Sequence, residues 1–211
     1  MRKQRGFWQA FGCLVPSAAA LLLCANAPAQ AHHVMGGQTP MTLLQGFLSG
    51  LGHPIIGIDH LAFIAVVGLV AGLARPQLMS PAIFVAASAL GVGVHVGGIN
   101  IPAAELVTAA SVLFAGVLVA IGAVIRQAAW LTVFGIAGLF HGYAYGESIA
   151  GAESTPLIAY LAGLVVIQAA LAGTIALLAR RSREGAVRSR LAGAAIAGIG
   201  VTVLFGQIMP A

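Results

Sequence analysis

Apolar residues run along the chain in stretches of about 20, the length a helix needs to cross the hydrocarbon of a bilayer. Six stretches stand out: Gly57 to Ala74, Ser80 to Gly97, Ala103 to Val124, Ala128 to Tyr145, Pro156 to Ala179 and Arg190 to Met209. Arg75-Pro76, Ile101-Pro102, Arg126-Gln127, Ser154-Thr155-Pro156 and the run from Arg180 to Arg190 separate them. Ahead of the first, Met41 to Gly52 is apolar but only 12 residues long. Pro54 divides it from the first long run, which predicts a half-helix or re-entrant segment rather than a span. The pattern predicts an all-α, polytopic membrane bundle of six transmembrane helices. It leaves no room for a soluble domain and shows no long-period repeat.

The N-terminus has its own pattern. Arg2, Lys3 and Arg5 precede an apolar run from Phe7 to Leu23, and Ala25-Asn26-Ala27-Pro28-Ala29-Gln30-Ala31 comes next. A basic, then apolar, then small-residue order is that of a cleaved signal peptide. Residues 1–31 are expected to be removed, with the cut after Ala31 or after Ala29, leaving 32–211 as one transmembrane domain. Cys13 and Cys24 both fall in the leader. The mature chain then has no thiol, which excludes disulfides, cysteine-rich zinc sites and iron–sulfur clusters.

Composition sharpens the class. Hydrophobic residues make up 60% and charged residues 7%, against roughly 25% charged in a soluble domain. With a mean hydropathy of +1.00, too little polar surface remains to cover a soluble core. A soluble enzyme, a nucleic-acid binder and a disordered protein are excluded. The net charge of +5 is largely targeting, since loss of the three leader cations leaves +2.

Charge placement sets an orientation. A cleaved leader puts His32 outside, so the first span runs inward. Arg75, Arg126, Arg180, Arg181, Arg183, Arg188 and Arg190 then all fall on the cytoplasmic side, as the positive-inside rule expects. Asp59, Glu105, Glu147 and Glu153 fall at or near the outer face, with only Glu184 inside. The expected location is the inner (cytoplasmic) membrane, with the mature N-terminus periplasmic.

All six histidines lie toward the outer side on this map. Ionisable groups in a membrane are costly and face a cavity or a partner, which makes each a candidate. The densest signal is His53-Pro54-Ile55-Ile56-Gly57-Ile58-Asp59-His60. Pro54 suits the first turn of a helix, which would leave His53 flanking it and place His53 and His60 on one face, with Asp59 about 100° around. Two imidazoles and a carboxylate suit Ni²⁺, Co²⁺ or Zn²⁺. Alternatively Asp59 orients an imidazole from behind, or the three tie the half-helix to the bundle. A second cluster, His141-Gly142-Tyr143-Ala144-Tyr145-Gly146-Glu147, puts His141 and Tyr145 on one face and Gly142 and Gly146 at close-packing spacing. His141 and Glu147 are candidate ligands or relay groups, with interhelical hydrogen bonding as the other reading. For the isolated His95, interhelical hydrogen bonding is the expectation. At the N-terminus, cleavage after Ala29 would expose Gln30-Ala31-His32, a square-planar motif for Ni²⁺ or Cu²⁺. Cleavage after Ala31 would expose His32 and His33.

The stretch Met41 to Leu73, with its His-Pro-x-x-Gly-x-Asp-His core, resembles the signature of the HupE/UreJ family. The segment from His141 to Glu147 resembles that family's second motif, and the resemblance covers essentially the whole mature chain. Members are bacterial membrane proteins associated with nickel-dependent hydrogenase and urease systems and regarded as nickel or cobalt transporters. The resemblance implies metal residues at His53, Asp59 and His60, and at His141 and Glu147. Two positions depart from it: Tyr145 stands where many members have histidine, and Ile64 where many have methionine.

The expected function is a permease for divalent nickel, or cobalt, that captures the ion at a periplasmic-side His/Asp cluster and passes it inward for nickel-enzyme maturation. A non-transporting accessory protein that binds or delivers metal to a hydrogenase- or urease-type enzyme is the alternative. An intramembrane metalloenzyme lacks support: there is no His-Glu-x-x-His motif and no serine nucleophile elbow, and without a Walker A sequence any ATP coupling would need another subunit. No catalytic residue and no prosthetic group are expected. The partners are the divalent ion, the lipid bilayer and nickel-enzyme maturation proteins, with no nucleic acid.

Overall fold

The computed structural model describes residues 38–73, 78–181 and 185–209. The expected signal segment, His32 and His33 lie outside the described residues. Within them the protein is all-helical, with seven α-helices: α1 (Leu43–Ile56), α2 (Ile58–Leu73), α3 (Met79–Val96), α4 (Ala104–Ala120), α5 (Gln127–Gly146), α6 (Ser154–Arg181) and α7 (Gly185–Ile208). A single 3₁₀ turn, Glu147–Ile149, comes after α5.

A helix forms over each of the six apolar runs, and a seventh over the half-helix segment. Thr42 starts α1 through a capping box, its hydroxyl accepting from the Gln45 amide at 3.2 Å while Gln45 Oε1 accepts from the Thr42 amide. By length and composition, α3, α6 and Ala186–Ile208 of α7 are apolar and long enough to cross a membrane. α1 and α2 meet that standard together, as a pair bent by 80° at their break. The apolar α4 has 17 residues. α5 has the length, with 20 residues, but His141, Tyr143, Tyr145 and its glycines dilute its apolar character.

Close helix approaches define the packing directions. Gly46 and Gly50 of α1 lie against Pro156 and Tyr160 of α6, and Gly68 and Gly72 of α2 against Ala172 and Ala176 further along. α1 and α2 therefore track α6 in the same direction, one after the other. Phe84 meets Gly138 and Ser88 meets Gly142, so α3 and α5 run parallel. Gly116 meets Ala197 and Leu113 meets Gly200, so α4 and α7 run antiparallel. Gly142 faces the Ser88 backbone so closely that no Cβ fits there, the small-residue contact its spacing predicts.

These directions sort the charges. Arg190 Nε donates to the Ala120 carbonyl at 3.0 Å, tying the start of α7 to the end of α4. Arg126, Arg180, Arg181, Arg188 and Arg190 gather at that end of the bundle. At the opposite end the Ile101 amide donates to Tyr143 Oη at 3.2 Å, and Glu105, Glu147 and Glu153 lie there. Between them sits a core of Phe63, Phe84, Trp130 and Phe134, with Val66, Val67 and Val112.

Candidate metal-handling site

The site is built at the break between α1 and α2. Pro54 lies inside α1, in its last turn, and the helix continues to Ile56. Proline removes the amide that would have bonded the Gly50 carbonyl, which weakens the final turn without ending it there. The chain turns at Gly57, whose amide still reaches the His53 carbonyl at 3.0 Å while its own carbonyl accepts from Leu61 at 2.9 Å. A Cβ on Gly57 would stand 2.5 Å from His60 Cδ2, so the imidazole folds back over a position that only glycine leaves vacant. This corrects the sequence expectation. Pro54 does not open the second helix, and His53 and His60 do not share a helix face. They sit on different helices, and the bend brings them together.

His53, His60 and His141 are all buried. The rings of His53 and His60 are 5.5 Å apart between centroids, and those of His60 and His141 are 5.0 Å apart. His60 Nδ1 and His141 Nδ1 are hydrogen-bonded at 2.8 Å. Asp59, in the first turn of α2, has Oδ2 at 4.0 Å from His60 Nδ1 and keeps 14% side-chain exposure. It is the least buried member of the group, although its Oδ1 is buried. A carboxylate there also suits the positive end of the α2 dipole.

Tyr145 packs between the first two histidines, its ring 5.1 Å from His53 and 4.3 Å from His60. It is fully buried, and its hydroxyl has no hydrogen-bond partner among the described residues. His53 Nδ1 lies 2.6 Å from Ser148 Oγ and 3.2 Å from Tyr160 Oη. Tyr160 Oη donates to the Tyr145 carbonyl at 2.8 Å. On the far side, His141 Nε2 is 3.0 Å from Ser111 Oγ. Toward the arginine-rich end the cluster rests on aromatic rings, with Phe63 at 4.6 Å and Phe84 at 5.9 Å from His141. Ile64 is part of the buried core beneath.

Sequence reading missed Ser111, Ser148 and Tyr160, which supply the hydrogen bonds that aim the rings. The only signal was that Ser111 and Tyr160 carry hydroxyls within apolar helices, where each needs a partner but the sequence does not say which; Ser148 lies in the 3₁₀ turn. Glu147 is exposed in the 3₁₀ turn, and no described contact joins it to the histidines. The desolvation it suffers in the turn, with Glu105 nearby, pushes its carboxyl pKa above the ordinary value. His95 departs from its expectation: Nδ1 is buried without a hydrogen-bond partner among the described residues. Instead the ring packs edge-on against Tyr143 at 4.6 Å.

Among the described residues, no three His, Cys, Asp or Glu side chains stand ready to hold a metal ion. His60 and His141 turn their Nδ1 atoms toward each other in a hydrogen bond, so neither Nδ1 is directed at a common ion position. The donor types nevertheless suit a borderline divalent cation.

The family model of the HupE/UreJ protein matches residues 19–203. The chain belongs to the HupE/UreJ family. It is similar to Protein HupE of Rhizobium leguminosarum bv. viciae, with 33% identity over 165 residues, 76% of this chain and 85% of that one. No solved structure matches. The matched span contains both the α1–α2 break and the α5 segment that carries His141 and Tyr145.

Proposed function

We propose that this HupE/UreJ protein is a permease for divalent nickel, or cobalt, in the inner (cytoplasmic) membrane. The observation that carries the reading is the broken helix pair with His53, Asp59 and His60 at its break. Discontinuous helices expose unpaired backbone groups and place them at transporter ion sites, an arrangement a passive anchor does not need. Helix directions alternate if α1 and α2 count as one crossing, which supports six crossings. The arginine-rich end is then cytoplasmic by the positive-inside rule, and the glutamate-rich end and the mature N-terminus are periplasmic, beyond a cleaved leader.

Asp59, the least buried of the three, would meet the ion first, and His53 and His60 would replace its water. Phe63 and Phe84 close the way inward, so release requires these rings to move. The chain is a carrier rather than a catalyst, and it delivers the ion for nickel-enzyme maturation. Glu147, with Glu105, supplies negative charge at the outer mouth, and His32 and His33 remain candidate ligands by sequence. Imidazole and carboxylate ligands do not separate nickel from cobalt, so nickel as first choice rests on the family's associations.

Uptake of radioactive nickel into proteoliposomes tests the proposal. Wild-type protein should accumulate the ion, and His53→Ala, Asp59→Ala and His60→Ala should each abolish most uptake at matched protein levels. Binding without accumulation would establish the accessory role instead. Near-normal uptake by all three variants would reduce the cluster to a packing feature.

A further inference from the structure

Ser111 has one hydroxyl proton, and its geometry decides where that proton goes. Its Oγ lies 2.7 Å from the Thr108 carbonyl, a separation that oxygen atoms adopt only with a hydrogen between them. The proton is therefore donated to the carbonyl, one turn back on α4, a common arrangement for serine in a helix. Ser111 Oγ can then meet His141 Nε2, 3.0 Å away, only as an acceptor. His141 must carry its proton on Nε2.

The consequence runs on through the cluster. In the neutral ring, a proton on Nε2 leaves Nδ1 of His141 as an acceptor. His60 Nδ1, at 2.8 Å, is then the donor of that bond. A neutral His60 protonated on Nδ1 carries its lone pair on Nε2. Each hydrogen bond in the chain from Thr108 to His60 has one proton, and no group is left with two.

We infer that Ser111 and His141 are positioning residues that fix the tautomer of His60, and that His141 does not itself bind the cargo ion in this arrangement. Both ring nitrogens of His141 are occupied, one by Ser111 and one by His60, and the tautomer this imposes puts the lone pair of a neutral His60 on Nε2. This is the relation in which an outer partner sets the orientation and basicity of a ligating imidazole. The inference refines the reading of the His53, Asp59 and His60 group as a cargo site and rests on it. It assigns Ser111, a residue outside both histidine motifs, a part in metal affinity.

The test uses the full chain in detergent, labelled with ¹⁵N-histidine and free of metal. The His141 resonances are identified by their loss in His141→Gln. Wild type should show His141 protonated on Nε2 and His60 on Nδ1, and Ser111→Ala should shift His141 toward a mixture. Co²⁺ titration then reads the ligand site through its visible absorption. Ser111→Ala should weaken Co²⁺ binding by about tenfold or more, the usual effect of losing an outer partner. Ser111→Thr, which keeps the hydroxyl, should restore both signals. A wild-type His141 protonated on Nδ1 would overturn the inference, as would unchanged tautomer and affinity in Ser111→Ala. If wild-type protein binds neither Co²⁺ nor Ni²⁺, the cargo reading fails, while the metal-free spectrum still decides the tautomer assignment.

Discussion

His53 and His60 face each other across a helix break, their ring centroids 5.5 Å apart, although seven residues separate them along the chain. In one continuous helix, rings at that spacing would lie two turns apart, about 10 Å along the axis. The 80° bend thus halves the separation and buries both rings together. The carbonyls at the end of α1 also carry the negative end of the helix dipole and favour a cation. Helix geometry and imidazole chemistry therefore act at the same point.

Gly57→Ala tests how tightly that point is built. The added Cβ would meet His60 Cδ2 at 2.5 Å, so the ring must swing away and give up its bond to His141. Protein levels should be near wild type, since alanine is at ease at the observed negative φ of −73°. Nickel uptake at limiting concentration should fall by about tenfold, equivalent to about 1.4 kcal/mol of binding. Uptake within a factor of about two of wild type would show that the His60 orientation is not critical.

Much of the fold is legible in the sequence. Each apolar run becomes a helix, because a long apolar stretch bounded by arginine or proline has few other ways to satisfy its backbone in a membrane. The break is harder to place. Proline marks a missing amide and so points to Pro54, whereas the turn forms three residues later at Gly57, where His60 needs the space. Within the site, His53, Asp59 and His60 stand out as rare polar residues in an apolar chain. Ser111, Ser148 and Tyr160 do not. Their histidine partners lie 30, 95 and 107 residues away, and no local pattern encodes such pairings. Proximity in sequence groups Glu147 with His141, yet the helix ends between them and the carboxylate faces outward.

Tyr145 and Tyr160 should respond oppositely to loss of their hydroxyls. Tyr160 Oη donates to the Tyr145 carbonyl at 2.8 Å and lies 3.2 Å from His53 Nδ1, so Tyr160→Phe removes a buried hydrogen bond and leaves that carbonyl with the longer one from Ser148 Oγ at 3.1 Å. A cost of about 0.5–1.5 kcal/mol is expected. The Tyr145 hydroxyl has no such partner among the described residues, and Tyr145→Phe should be neutral or stabilising by about 1 kcal/mol. Thermal unfolding in detergent, without metal, reads both. A Tyr145→Phe variant that melts well below wild type would contradict the assignment.

Glu147 supplies a pH prediction. Its pKa is raised in the folded chain by desolvation and then by Glu105, from an ordinary value of 4.5. A carboxyl with a raised folded pKa favours the fold when protonated. That contribution is fully present below about 4.5 and is lost as pH rises through the higher folded value. Glu147→Gln should therefore melt slightly above wild type at neutral pH, and the difference should vanish at pH 4. A difference that grows on acidification would mean that the carboxylate is stabilised in the fold.

The last prediction concerns which end faces which compartment. The arginines at the ends of α6 and α7 and before α5 share one end of the bundle, with Glu105, Glu147 and Glu153 at the other. Basic residues flanking spans are retained on the cytoplasmic side because moving them across the membrane is costly. The chain's two cysteines, Cys13 and Cys24, can be replaced by serine, so single cysteines then report cleanly. A cysteine replacing Glu153 should react with an impermeant maleimide added to intact spheroplasts, and one replacing Gly185 should react only after permeabilisation. The same orientation puts Asp59 on the periplasmic half of the bundle, where it can receive an ion from outside. Labelling at Gly185 but not Glu153 would reverse the bundle, turn the site toward the cytoplasm and favour export or intracellular delivery over uptake.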